Sequence, residues 1–336
     1  MEDNILNPEK PAAAAPAASS PITKWFRILS LSRLIRWAVF LYLGYWLYSN
    51  YHSDIPVGQL MRRYAYPDSK YMEINGMNVH YRVSGAGEPI VLLHDANSSL
   101  HTWAGWTDSL ARSYQVISVD LPGFGLTGPH PQGSYSGFMY ANFFEHFVRQ
   151  LNLSAFHLAG NGLGAQIAWF YAAEHPERLR KLILLDAPGF EEKKTPWIQL
   201  MAQTPVLNRI LWRITPRSFI CLMLEDMYAD DNKVADTLVE RYYEMLLRPG
   251  NRKAFTDRAQ VIENRPPISL IEKITTPTLI LWGAEDTRIS PEFAYEFHRK
   301  IRKALLKIYQ NAGHWPQEEN AAQSVSDVEA FLEGRF

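Results

Sequence analysis

Residues 156–175 read Phe156-His157-Leu158-Ala159-Gly160-Asn161-Gly162-Leu163-Gly164-Ala165-Gln166-Ile167-Ala168-Trp169-Phe170-Tyr171-Ala172-Ala173-Glu174-His175. An apolar run of strand length meets a turn with glycine at 160, 162 and 164, and the turn opens directly into apolar residues at helical spacing. That succession is a strand, a tight elbow and a helix. The rest of the chain falls into order around it.

Ala155–Ala159 is the strand that enters the elbow. Upstream, Tyr71–Ile74 and Val79–Val83 flank Asn75-Gly76-Met77-Asn78, a hairpin turn. Ile90–Leu93 is a short apolar run ending at His94, and Gln115–Val119 is another ending in Asp120-Leu121-Pro122-Gly123-Phe124-Gly125. Downstream, Leu182–Leu185 leads to Asp186, Thr278–Trp282 leads to Gly283-Ala284-Glu285-Asp286, and Leu305–Tyr309 precedes Asn311-Ala312-Gly313-His314. Helical stretches such as Tyr140–Leu151 and Gln166–Glu174 lie between. Short apolar strands alternating with helices predict a mostly parallel, doubly wound sheet with helices on both faces.

Between Gly189 and about Ile274 that rhythm stops. The interval has no strand signal and is rich in large apolar residues, among them Trp197, Leu200, Met201, Trp212, Phe219 and Met223. It reads as a helical lid over the carboxyl ends of the strands, where open α/β sheets bind ligands.

The N-terminal part has a different character. Residues 1–21 hold Pro8, Pro11, Pro16 and Pro21 around an alanine-rich run, a composition too poor in large apolar groups to fold. Lys24, Arg27, Arg33 and Arg36 then interleave with Trp25, Phe26, Ile28 and Leu29, a pattern suited to an anionic membrane surface. Trp37–Tyr48 carries no charge and ends in tyrosines and tryptophan, as interface belts do. A signal anchor over residues 22–50 is the preferred reading, with the N-terminus cytoplasmic and the domain on the outer side. The alternative is a peripheral helix packed on the domain or lying in the interface. Residues 51–70 read as a linker, 71–189 as the first part of the core, 190–273 as the lid and 274–336 as the second part of the core.

The chain has 336 residues, 47% of them hydrophobic, enough for one large α/β domain with an insertion. A net charge of −1 gives no sign of a nucleic-acid partner. A single cysteine, Cys221, excludes an internal disulfide and a multi-cysteine zinc site; its apolar neighbours make it a small buried hydrophobe rather than a nucleophile. No cofactor or metal is indicated.

Taken together, Leu92-Leu93-His94, Asp120–Gly125, the elbow, His175-Pro176-Glu177-Arg178, Leu279–Asp286 and Gly313-His314-Trp315-Pro316 make the chain from about Tyr71 to Phe336 resemble the α/β-hydrolase superfamily. Its lidded esterase, epoxide-hydrolase and dehalogenase-like members are the most similar in style. The resemblance implies an eight-stranded, mostly parallel sheet and a triad in the order nucleophile, acid, histidine. The acid falls on Asp286 and the base on His314; Asp186 is an alternative acid, more simply a turn residue. The oxyanion hole falls on the backbone N–H groups of Leu163 and Ala96.

Two positions depart from the family's pattern. The nucleophile position is Gly162, which offers no hydroxyl, thiol or carboxylate and so forms no covalent intermediate. After His94 stands Asp95 where the family carries glycine, and a carboxylate there opposes developing negative charge unless it is protonated or points away. Ser98 and Ser99 are remote substitutes for a nucleophile. The expected function is therefore that of a membrane-anchored family member without ordinary serine-hydrolase activity, which binds a small hydrophobic ligand. One alternative is an enzyme in which the His314–Asp286 pair activates a water in the space above Gly162. Another is an adhesion or signalling role on a hydrolase scaffold, as in the neuroligins. No protein partner is indicated.

Overall fold

The computed structural model describes residues 21–190, 203–261 and 267–335. The alanine-rich tail and the lid residues Trp197, Leu200 and Met201 lie outside the described residues. The chain divides into two units, residues 1–50 and 51–336.

The larger unit is built on one eight-stranded sheet. Its strands are β1 (Ser69–Ile74), β2 (Met77–Ser84), β3 (Glu88–Leu93), β4 (Tyr114–Val119), β5 (Phe156–Asn161), β6 (Leu179–Leu185), β7 (Thr278–Gly283) and β8 (Ala304–Tyr309). The spatial order is β1-β2-β4-β3-β5-β6-β7-β8. β2 runs antiparallel to both its neighbours, and the remaining pairings are parallel. The hairpin is tighter than the sequence suggests: Ile74 pairs with Met77, so the turn is Asn75-Gly76 alone. Both residues have positive φ, 50° and 78°, the backbone that lets a two-residue turn follow the strands' twist.

Helices cover both faces. Phe143, Phe144 and Phe147 of α4 (Gly137–Gln150), Ile167 and Ala168 of α5 (Leu163–Glu174) and Phe297 of α10 (Glu292–Lys300) share one apolar cluster with the sheet. On the other face Trp106 and Leu110 of α3 (Ala104–Leu110) pack with Val325, Val328 and Phe331 of α11 (Ala321–Leu332). Fully buried central strands explain the continuous apolar runs in the sequence.

The stretch between β6 and β7 is helical where it is described: α6 (Pro205–Leu211), α7 (Arg217–Glu225), α8 (Asp236–Leu246) and α9 (Asn251–Gln260). Ile220 and Leu224 of α7 and Val239, Tyr242 and Tyr243 of α8 pack into one cluster with Trp315 of the core. Cys221 is half-buried rather than buried, and its thiol donates to Glu225 Oε1 at 3.2 Å.

Residues 51–70 are not a linker. They carry α2 (Val57–Tyr64) and run into β1 at Ser69. Leu60 is buried with Leu126 and Met245, Tyr51 bridges Ile214, and the Ile55 N–H donates to Leu247 O at 2.9 Å. The polar composition concealed one buried leucine and a set of backbone bonds that fix the segment.

The smaller unit is α1 (Pro21–Ser49), a helix of 29 residues. Among the described residues no helix is long and apolar enough to cross a membrane, which corrects the signal anchor and the orientation drawn from it. The uncharged run Trp37–Tyr48 rises only about 18 Å at ~1.5 Å per residue, against a hydrocarbon core of roughly 30 Å. Arg33 and Arg36 end it on one side.

Candidate functional site

Five strand ends converge at one edge of the sheet. β3 delivers His94 and Asp95, β5 delivers Gly162, β6 delivers Asp186, β7 leads to Asp286, and β8 leads to His314.

The elbow requires its glycines for space. A Cβ on Gly160 would stand 2.3 Å from the Gly164 backbone, and one on Gly164 would stand 2.1 Å from Leu93 O. β3, β5 and α5 can approach this closely only without side chains there. At Gly162 both conformation and space are at stake. Its φ is +50°, and a Cβ would lie 1.9 Å from Asp95 Oδ1 and 2.2 Å from Asp95 Cγ. The space of a nucleophile side chain is occupied by the Asp95 carboxylate. A water activated by the His314–Asp286 pair would have to sit outside that space.

Asp95 is held there from three directions. Its Oδ1 accepts from Leu163 N at 2.8 Å. Its Oδ2 lies 3.3 Å from His314 Nε2 and 3.5 Å from Trp315 Nε1. Behind it, His94 donates from Nδ1 to Asp95 O at 2.6 Å and accepts the Leu121 N–H at Nε2, so the ring is anchored at both ends. Burial keeps His94 below its ordinary pKa, consistent with a neutral ring making both bonds. Of the two N–H groups assigned to an oxyanion hole, that of Leu163 thus donates to an anionic oxygen, and that oxygen is the protein's own.

His314 sits between two carboxylates. Nδ1 lies 2.8 Å from Asp286 Oδ2, opposite the face toward Asp95. Asp286 is oriented in turn by the N–H groups of Arg288 and Ile289 on its Oδ1, at 2.7 and 3.0 Å. Burial pulls the imidazole pKa down, but Asp286 and Asp95 outweigh it and raise the pKa well above the ordinary value. Conversely, burial raises the Asp95 pKa, while His314 and the Leu163 N–H overcome that and lower it to about 2. The resting state is an imidazolium clamped by carboxylates. Asp95 neither points away nor is protonated.

Asp186 joins the same chain of groups. It is fully buried at φ +45°, accepts Gly283 N on Oδ1 at 3.0 Å, and faces Asp286. Burial and the Asp286 charge push its pKa well above the ordinary range, and its Oδ2 has no hydrogen-bond partner. Potential ligand atoms of Asp186, Asp286 and His314 lie within 4.8 Å of one another, a group of metal-ligating type. The direct 2.8 Å contact from His314 to Asp286 fits a shared proton better than an intervening cation.

The structure also places residues the sequence did not single out. Asn161 Nδ2 donates to His314 O at 3.0 Å, and Gln317 Nε2 donates to Asn161 Oδ1 at 3.1 Å, tying the elbow to the histidine loop. Trp315 stacks on Tyr242 of α8 with centroids 5.3 Å apart. Ser98 and Ser99 are not brought to His314: their hydroxyls pair with Tyr242 and His101.

The pattern of the alpha/beta hydrolase fold matches residues 88–321. The chain belongs to the alpha/beta hydrolase fold family. It is 28% identical over 267 residues to the 2-hydroxymuconate semialdehyde hydrolase of Pseudomonas sp. (strain CF600), covering 76% of this chain and 91% of that one. This alpha/beta hydrolase is also similar in fold to the solved meta-cleavage product hydrolase CumD of Pseudomonas fluorescens IP01. The TM-score is 0.70 at 24% identity, over 79% of this chain and 98% of CumD. A solved membrane phospholipase A matches with a TM-score of 0.67 at 23% identity, over 93% of this chain and 99% of its own.

Proposed function

We propose that this alpha/beta hydrolase has lost serine acyl transfer and binds a small hydrophobic ligand beside the Asp95–His314–Asp286 chain. The observation that carries the reading is the Asp95 carboxylate, which fills the nucleophile's space and takes the Leu163 N–H. An ester carbonyl has no hydroxyl to react with here, and the Leu163 N–H that would help to polarise it is already taken. A small hollow that shares Leu163 with the site, lined by Gly137, Leu163, Gln166, Ile167 and Phe170, has room for about one water. The test is p-nitrophenyl butyrate hydrolysis together with labelling by a serine-directed fluorophosphonate. Neither is expected of the wild-type chain; ester turnover that disappears in His314→Ala would overturn the reading.

We further propose that α1 rests on an anionic membrane surface without spanning it. Leu34, Trp37, Phe40, Leu41, Tyr45 and Tyr48 are exposed on it, beside Arg33 and Arg36. The match to the membrane phospholipase A, a likeness of fold, covers more of this chain than residues 51–336 could supply, so it reaches into α1. The full chain is expected to float with phosphatidylglycerol-rich vesicles and Trp37→Glu/Phe40→Glu to stay behind. A wild-type chain left at the bottom of the gradient would count against it.

A further inference from the structure

The turn between α7 and α8, residues 226–229, together with Tyr242 of α8, is fastened to each loop that carries a group of the site. On the base loop, His314 N donates to Met227 O at 2.7 Å, so the lid holds the backbone of the histidine itself. A Cβ on Gly313 would stand 2.4 Å from Met227 O and 3.0 Å from Ala229 N, an approach of backbone to backbone that only glycine allows. On the acid loop, Thr287 Oγ1 donates to Asp226 O at 3.1 Å, and Arg288, whose N–H orients Asp286, reaches Asp226 Oδ2 at 3.6 Å. On the Asp95 loop, Ser98 Oγ pairs with Tyr242 OH at 2.9 Å.

Two adjacent glutamates complete the attachment, both in the helical turn Pro316–Glu319 that follows His314. Glu319 spans the joint with one carboxylate: Oε1 accepts Gly313 N at 2.7 Å, and Oε2 accepts Ala229 N at 2.8 Å. Lys233 Nζ donates to the Glu319 carbonyl at 3.1 Å. Glu318 accepts the hydroxyls of Tyr228 and Tyr242 at 2.7 and 3.0 Å. Burial and the Glu318 charge hold both phenols above their ordinary pKa, which keeps them donors. Between the two rings lies Trp315, stacked on Tyr242 and edge-on to Tyr228 at 6.0 Å.

We propose that this joint is an interlock: α7 and α8 cannot lift from the core without drawing the backbone of His314 after them, so that an open lid and an assembled Asp95–His314–Asp286 chain exclude each other. The amides of Gly313 and Ala229 share one carboxylate, and the His314 amide bonds to the turn directly. Neither side moves alone without stranding a buried donor. His314 faces its two carboxylates at 2.8 and 3.3 Å, and a shift of about 1 Å in its loop takes it beyond hydrogen-bonding reach of them. A ligand that meets the intact chain therefore does so with this half of the lid in place.

The inference concerns access to the same site and so rests on the reading that a small hydrophobic ligand binds there, yet its test needs no ligand. Hydrogen exchange is followed by NMR in the full-length protein, at the amides of Ala229, Gly313 and His314 and at the Nδ1–H of the His314 ring. Tyr228→Phe removes one bond of the joint and keeps the ring against Trp315. Glu319→Gln leaves an acceptor for one of the two N–H groups and turns a donor toward the other. The expected result in each variant is exchange at least about 10-fold faster at all of these positions and by a common factor, with the amides of β5 unchanged. Faster exchange at Ala229 alone, with the Gly313, His314 and imidazole protons as slow as in the wild type, overturns the interlock. So does unchanged exchange at every position. Should Glu319→Gln fail to fold, Tyr228→Phe carries the test by itself. Failure here leaves the ligand reading standing, since that reading falls by a different result, ester turnover lost in His314→Ala.

Discussion

Restoring serine at the elbow tests the site's geometry directly, because the structure says that one substitution must fail where two succeed. In Gly162→Ser the new Cβ falls 1.9 Å from Asp95 Oδ1, so the carboxylate must leave the Leu163 N–H and His314. Expelling one partner of a buried ion pair costs about 3–5 kcal/mol. A side chain at φ +50° adds about 1–3 kcal/mol. At roughly 2 °C per kcal/mol for a domain of this size, even the smaller sum of ~4 kcal/mol lowers Tm by about 8 °C. In Asp95→Gly/Gly162→Ser the collision is absent, and His314, no longer facing Asp95, can release its proton and serve as base. The double variant should therefore melt above Gly162→Ser and cleave p-nitrophenyl butyrate at least ~100-fold faster than either single variant. Strictly additive effects on Tm, or an active and stable Gly162→Ser, would show that Asp95 does not occupy the serine's place.

Three further outcomes follow from the electrostatics. The Asp95 pKa, lowered from 3.8 to about 2, gives stability that is fully present above pH ~4 and is lost as pH falls toward 2, worth about 2 kcal/mol. Denaturant titration should show that acid slope shrink in Asp95→Asn. The His314 contribution has the opposite sign, present below the ordinary imidazole pKa and lost as pH rises through the elevated one; NMR of the ring nitrogens should find it doubly protonated at neutral pH, and a singly protonated ring would contradict the clamp. Finally, burial and the Asp286 charge favour the neutral form of Asp186, so Asp186→Asn should cost under about 1 kcal/mol, whereas Asp286→Asn, which removes the carboxylate charge facing His314 Nδ1, should cost about 3–5 kcal/mol.

The sheet was legible because its buried parallel strands are continuous apolar runs, each ending in a residue that the chemistry requires. Asp286 and His314 could be placed for the same reason. What local pattern could not convey was direction. Asp95 lies next to His94 in sequence, yet its effect depends on its carboxylate crossing to Leu163, 68 residues away. Asp186 looked like a turn residue because the group that changes its proton affinity, Asp286, is 100 residues further on. The segment 51–70 looked like a linker since Leu60 is a single buried anchor among polar neighbours. In α1 the sequence overstated reach: apolar character was evident, while the length set by Arg33 and Arg36 fell short of a bilayer.

Gly162 and Asp95 are best understood as two parts of one arrangement. With any side chain at 162 there is no room for the Asp95 carboxylate in its present position. A Gly162 chain with glycine at 95 would leave the Leu163 N–H and the Nε2 side of a buried imidazole with nothing to accept from them, and an unsatisfied buried donor costs about 1–3 kcal/mol. The aspartate supplies that acceptor, which explains how base, acid and oxyanion donor can persist without a serine to serve. Asp95→Gly should fold, but with an empty anion site, and acetate should refill it, raising stability by about 2.7 kcal/mol at a hundred times its Kd. The wild-type chain, whose own carboxylate is already in place, should show no such acetate effect. Equal stabilisation of both proteins would mean that acetate binds elsewhere and that the Leu163 N–H was never the reason for Asp95.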